Sequence, residues 1–175
     1  IYYLLAVSVG MGAKMMEETK RSQKRWLGEL AYMINGARLL LSRTIWPFRV
    51  EIDGETHRIR ATELIATNAG IIGYNLLRWG KDIHPDDGLI HVCHARINSF
   101  PALLRALRGA ALEQQDQVNE LSCLSAREEI VITSNSPLPV QGDGEPIGTT
   151  PIRLEVVPRA VSVLIPQNSP GGSIL

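Results

Sequence analysis

The chain has no net charge: eighteen Lys and Arg residues cancel eighteen Asp and Glu residues. With no global field to draw a polyanion, nucleic acid is not among its expected partners, and any charged surface must be local. Cysteine is nearly absent. The two present, Cys93 and Cys123, form no CxxC pair, which offers no disulfide framework and suits a reducing, cytoplasmic setting. No apolar run approaches the ~20 residues that a membrane-spanning helix needs. The opening IYYLLAVSVGMGA has the apolar character of a signal peptide but neither an initiating Met nor a basic leader. It reads as a core strand, in a piece cut from a longer protein. There is no GxSxG elbow for a hydrolase. In His91-Val-Cys-His94 the strand alternation puts His91 and Cys93 on one face and His94 on the other, so these residues cannot close a zinc cage by themselves.

What is present is apolar patterning of two periods. After a strand over Tyr2–Val9, Gly10-Met11-Gly12 marks a tight backbone passage. From about Glu17 the spacing becomes helical, with Leu27, Leu30, Ile34, Ala37 and Leu41 on one face. Lys20, Arg21, Lys24 and Arg25 in its first turns make either an ordinary solvated face or a patch for anionic headgroups. From Phe48 to Thr67 the period is two, with Phe48, Val50 and Ile52 facing one way and a turn at Asp53-Gly54. Asn68-Ala-Gly70 opens a Gly-containing loop. A strand over Leu89–Ile97 follows the turn Pro85-Asp-Asp-Gly88, and Pro101 starts a short helix that runs to Gly109. Further strands are expected at Glu129–Thr133, Leu138–Gln141, Ile152–Val156 and Ala160–Ile165. Many strands, few helices and no βαβ alternation predict a mainly β chain, an antiparallel β-sandwich lobe with one long and one short helix. The lobe spans residues 1–166, with a flexible tail at 167–175.

One tripeptide occurs twice. Asp53-Gly54-Glu55 lies inside VEIDGETHRI, where it reads as a hairpin turn and nothing more. Asp143-Gly144-Glu145 is followed by Pro146, which has no N–H for a ladder, so its carboxylates are expected at a loop edge rather than inside a regular return strand. A carboxylate there can accept a hydroxyl proton, and a plain turn remains an equal reading of the residues alone.

Four blocks carry a resemblance. VQGDGEPIGTTPIRLEVVPRAVSVLIP resembles the closing signature, with its "plpvqvDGEp" stretch, of the bacterial diacylglycerol kinase and sphingosine kinase-like (YegS-like) family of lipid kinases. KRWLGELAYMINGARLL is similar to that family's "lG-laY" helix, HPDDGLIHV to its "p-dDGllDv" turn, and ATNAGIIG to its Asn-Gly loop. In order and spacing they cover nearly all of Tyr2 to Pro166.

The resemblance implies the C-terminal β-sandwich domain of a two-domain kinase. The N-terminal domain of such an enzyme holds ATP with a GGDGT loop, which this chain lacks. By motif, Glu145 takes the proton-acceptor position and Asp143 lies beside it in the catalytic cleft. A structural magnesium ion is implied at Asp87, through its carboxylate, and at His84 and Leu89, through their main-chain oxygens. Two departures stand out: Gly12 occupies the family's Asp of "G-x-D-A", and His91 replaces the second Asp of "DGllDv", there expected to alter only a surface contact. The implied activity is transfer of the γ-phosphoryl group of ATP to a lipid hydroxyl, diacylglycerol-like or sphingoid. The implied partners are the lipid, a membrane surface approached peripherally and the ATP-binding domain, with a homodimer left open. The rival from another class is a noncatalytic lipid-binding or regulatory sandwich.

Overall fold

The computed structural model describes residues 2–18, 44–70, 83–112 and 120–162. Among the described residues ten strands form two sheets, and every pairing is antiparallel. The larger sheet is built from β1 (Ala6–Gly10), β4 (Glu63–Thr67), β5 (Ile90–Ala95), β6 (Leu121–Ala126), β8 (Pro139–Gly142) and β9 (Glu145–Thr149), in the order β6-β5-β4-β1-β8-β9. The smaller contains β2 (Trp46–Ile52), β3 (Glu55–Ala61), β7 (Glu129–Ser134) and β10 (Ile152–Glu155), in the order β10-β7-β2-β3. Two helices are described, α1 (Met11–Glu18) and α2 (Phe100–Ala111).

The core follows from the alternation of period two. Val7, Val9, Leu64, Ala66, Val92 and Val140 point from the larger sheet against Phe48, Val50, Ile52, Ile59, Ile130 and Ile132 of the smaller. The intervening Arg49 is exposed and pairs with Glu51 at 2.7 Å. A single residue, Thr62, carries the chain from β3 in one sheet to β4 in the other. Its N–H and its Oγ1 both donate to the Ala95 carbonyl, Oγ1 accepts from Ile97 N–H, and its own carbonyl accepts from Met11 N–H. This buried corner therefore ties β1, β5 and the entry to α2 together, satisfying backbone groups that burial would otherwise leave without water.

Several expectations need correcting. The expected strand over Ala160–Ile165 is absent from its described part: Pro158-Arg159 turns and Ala160–Ser162 is irregular and exposed. The return strand expected after Asp53-Gly54 is split at Thr62 into β3 and β4, and two further strands are additional. β6 reads LSCLSA, too rich in Ser to signal a strand by composition. β9 contains Pro146, yet it is the edge of its sheet, so a residue without an N–H loses no partner on its outer side, and a register shift at Val140/Gln141 absorbs the irregularity. The expectation that Glu145 lies outside a return strand is thus overturned. α1 begins at Met11, earlier than the helical pattern from Glu17. That long helix and the loop from residue 71 to 80 lie outside the described residues.

The cysteine reading is also corrected. β6 pairs with β5 so that Cys123 stands directly opposite Cys93, Cα to Cα 4.0 Å, and the two are joined by a disulfide. No spacing motif announces a pair 30 residues apart. The inference of a reducing compartment from unpaired cysteines falls away. Among the described residues no helix is long and apolar enough to cross a membrane.

Candidate functional site

The two Asp-Gly-Glu copies fold alike. Asp53 and Asp143 sit at φ 49° and 47°, followed by Gly54 and Gly144 at 87° and 86°. This is the left-handed pair of a two-residue hairpin turn, which Asp-Gly accommodates with little strain. Each Asp carboxylate then clasps the chain of a neighbouring segment. Asp53 accepts from the N–H groups of Arg127, Glu128 and Glu129 at 2.8–2.9 Å. Asp143 accepts from those of Leu4, Leu5 and Ala6 at 2.8–3.0 Å. The Asp53 carboxyl is held below its usual value by the donors from Glu129, Arg127 and Glu128. At Asp143 partial desolvation pushes upward, but the N–H groups of Leu4, Ala6 and Leu5 outweigh it and the carboxyl again lies low.

The copies differ in what surrounds them. Leu4 and Leu5, whose N–H groups go to Asp143, send their carbonyls to the Asn-containing block: Asn68 N–H donates to Leu5 O at 2.9 Å, Thr67 Oγ1 to Leu5 O at 3.2 Å and Asn68 Nδ2 to Leu4 O at 3.5 Å. Two of the sequence blocks, far apart in the chain, therefore grip one short stretch from opposite sides. Gly142, just before the turn, has no room for a side chain, since a Cβ there would come within 2.2 Å of the Tyr3 ring. The Tyr3 hydroxyl is buried with no hydrogen-bond partner among the described residues. Glu145 is exposed beside this clasp, while Glu55 in the other copy lies 3.9 Å from His57 Nε2.

The Pro85-Asp-Asp-Gly88 turn stands at the same end of the larger sheet, because Thr67 pairs with both Ala6 and His91. Asp87 Oδ1 accepts from Leu89 N–H at 2.8 Å; Oδ2 accepts from His84 N–H at 3.2 Å and from His91 Nε2 at 2.9 Å. Desolvation pushes this carboxyl up, but the His91, Leu89 and His84 donors prevail and keep it below the usual range, hence ionised near neutrality. Gly88 at φ 74° lets the chain curl. His91 is not a surface contact, as its place in the motif suggests: it is buried, and its Nδ1 lies 3.2 Å from Ser125 Oγ. For a hard cation the turn offers one side-chain ligand, the His84 carbonyl already accepting from Asp87 N–H at 3.3 Å. An ionised oxygen ligand is present, and Oδ1 receives a single N–H and keeps a lone pair.

One acidic residue escapes the motif reading. Glu63 begins β4 beneath the start of α1, where its Oε2 accepts from Gly12 N–H at 2.7 Å and its Oε1 would lie 3.0 Å from a Cβ on Gly12. Burial pushes its carboxyl up to about 7, against the pull of the Gly12, Ser8 and Met11 donors. Gln141 Nε2 donates to Ser8 Oγ at 2.7 Å, so Gly12, Glu63, Ser8 and Gln141 form one polar group reaching from β4 to β8. The Glu63 carboxylate thus occupies the space beside Gly12 that a side chain at that position would need. The only hint in the sequence is a lone acid in the otherwise uncharged ELIAT.

With this geometry in hand, comparison with known proteins is decisive. Residues 5–165 match the model of the YegS C-terminal NAD kinase beta sandwich-like domain. The chain belongs to this family. A "probable lipid kinase YegS-like" protein of Klebsiella pneumoniae is 28% identical over 165 residues, covering 92% of this chain and 52% of that protein. An uncharacterized protein of Synechocystis sp. is 28% identical over 170 residues, 95% of this chain and 39% of its own length. A crystal structure of a diacylglycerol kinase from Bacillus anthracis superposes with TM-score 0.60 at 18% identity, over 89% of this chain and 50% of that one, which speaks for the fold alone. The chain thus spans about half the length, or less, of the relatives it matches. Within the family, the matching blocks at Asn68, Asp87 and Asp143 converge on one end of one sheet, while Gly12 and Glu63 lie beyond the other end of β1.

Proposed function

We propose that this chain is the acceptor-side lobe of an ATP-dependent lipid kinase, in which Glu145 orients and deprotonates a lipid hydroxyl. The observation that carries the reading is what surrounds the second Asp-Gly-Glu and not the first: the stretch whose N–H groups Asp143 clasps is gripped from its other side by Thr67 and Asn68, and Glu145 stands exposed beside this junction. In this reaction the hydroxyl oxygen bonds to the γ-phosphorus as the bond to the bridging oxygen of ADP breaks, and the hydroxyl proton passes to Glu145. Such transfers depend mostly on positioning and charge stabilisation. ATP itself is held by an N-terminal domain with a Gly-rich loop, and the acceptor is diacylglycerol-like or sphingoid. The Asp87 carboxylate and the main-chain oxygens of His84 and Leu89 would hold magnesium, which when bound supplies a fixed charge that shapes the turn.

The test is a pair of substitutions in the complete two-domain protein. Glu145→Gln is expected to lower turnover by roughly 100-fold or more with the melting temperature unchanged, as for loss of a positioned base. Glu55→Gln, in the hairpin without the second clasp, is expected to leave turnover close to wild type. Equal losses in the two variants would refute the assignment.

A further inference from the structure

α2 turns large apolar side chains to solvent, which a helix that serves only the core does not do. Its start is well specified: Ser99 Oγ accepts from Ala102 N–H at 3.3 Å, and Pro101 occupies the first turn. Among its described residues the buried ones are small, Ala102, Ala106 and Gly109, with Leu103 half-buried. The face it turns to solvent carries Phe100, 71% exposed, Leu104, 51%, and at its end Leu112, 52%. Residues four apart on a helix drift by only about 40°, so Phe100, Leu104, Arg108 and Leu112 follow one gently winding stripe. A soluble helix ordinarily does the reverse, and a contiguous exposed apolar stripe marks a surface that something covers.

The charges around the stripe choose among occupants. α2 contains no acidic residue. Arg108 lies within the stripe, exposed and without an ion pair among the described residues, and the exposed Arg96 stands just before the helix. Arg105, at the rim, is turned aside by Glu120, which accepts from its Nε at 2.7 Å and its Nη2 at 2.5 Å. A protein groove with no net charge would gain nothing from a bare guanidinium amid Phe and Leu. An anionic bilayer surface accommodates both, since apolar side chains enter the headgroup boundary while arginines remain among the phosphates.

We propose that the outer face of α2 is a membrane-docking surface, with Phe100 and Leu104 inserted into the interface of an anionic bilayer and Arg108 set against its headgroups. The choice of a bilayer over a protein partner rests in part on the lipid-acceptor reading, but its test does not involve catalysis. The purified chain is mixed with phosphatidylcholine vesicles, with or without phosphatidylglycerol, in the absence of ATP and of any acceptor lipid. Flotation is expected with the anionic vesicles and to weaken with salt. The double variant Phe100→Ser/Leu104→Ser is expected to bind at least about tenfold more weakly, as loss of two partly inserted apolar side chains implies. Arg108→Glu, which removes no packing, is expected to bind roughly fivefold or more weakly and only to anionic vesicles. The proposal is overturned if the wild-type chain stays with the soluble fraction, or if both variants float as wild type does, which would assign docking elsewhere. It is equally overturned if light scattering shows that the stripe joins two copies and the vesicles compete for nothing. A kinase that loses turnover on Glu145→Gln while its α2 variants bind vesicles normally would retain the functional reading and lose this one.

Discussion

Asp53 and Asp143 show how little of a residue's role its neighbours in sequence disclose. Both carboxylates accept from three consecutive N–H groups, and both are held low. Their stabilisation is therefore complete above the ordinary value of 3.8 and disappears as pH falls through the lower folded value. Asp53→Asn and Asp143→Asn are each expected to lower the melting temperature by several degrees at neutral pH, with the difference from wild type closing in acid; thermal melts across pH measure this, and an unchanged Asp143→Asn melt would contradict the clasp. Glu63 runs the other way. Its carboxyl is raised from 4.5 to about 7, so ionisation opposes folding: the stability present below 4.5 is lost as pH rises to about 7 and stays lost above it. The loss is at most roughly 3–4 kcal/mol, at about 1.4 kcal/mol per unit. Glu63→Gln keeps an oxygen for Gly12 N–H and removes the charge. It is expected to raise the melting temperature above about pH 7 and to leave it unchanged below 4.5. That the second Asp-Gly-Glu lies in a family-like block was legible from the residues that follow it; Glu63 was not legible, because nothing local tells which helix a strand's acid will lie beneath.

Among the elements, the Asp87 turn and β9 depart furthest from local expectation. The turn was readable as Pro-Asp-Asp-Gly, and its Gly88 does adopt positive φ. That His91 would fold back onto Asp87 depended on β5 entering the sheet beside β4 with Thr67 opposite. If the turn holds magnesium as proposed, the ion is expected to raise the melting temperature of the wild-type protein and of His84→Ala, whose main-chain oxygen remains, and to give no shift with Asp87→Ala. Differential scanning fluorimetry with and without magnesium distinguishes these, and equal shifts in all three proteins would remove the site. β9 escaped notice since Pro146 forbids a central strand, and only the strand order reveals that it occupies an edge. β6 escaped because LSCLSA is weakly apolar, and its pairing to β5 is what brings Cys123 to Cys93.

As a whole the molecule is one sandwich whose larger sheet gathers distant segments at one end, and it matches about half the length of its lipid-kinase relative. No Gly-rich phosphate-cradling loop occurs in its sequence, and the polar group at Gly12 is filled by Glu63 rather than open to a phosphate. The chain alone is accordingly expected to give no lipid phosphorylation with labelled ATP, magnesium and mixed lipids, and to do so only when joined to an ATP-binding domain; robust turnover by the 175-residue chain would overturn that division. By itself the sequence determined the β class, the β2–β3 hairpin, the Pro101 start of α2 and the four family blocks, because each rests on short-range geometry: alternation, a left-handed turn, a fixed φ, a spacing. Only the tertiary structure decided that Asp143 grips Leu4–Ala6, that Cys93 meets Cys123, that Glu63 lies against Gly12 and that α2 shows Phe100 and Leu104 to solvent. Those contacts are made between segments as much as 139 positions apart, and which strands become neighbours is set by burying both sheets' apolar faces at once, a condition on the whole chain that no local window contains.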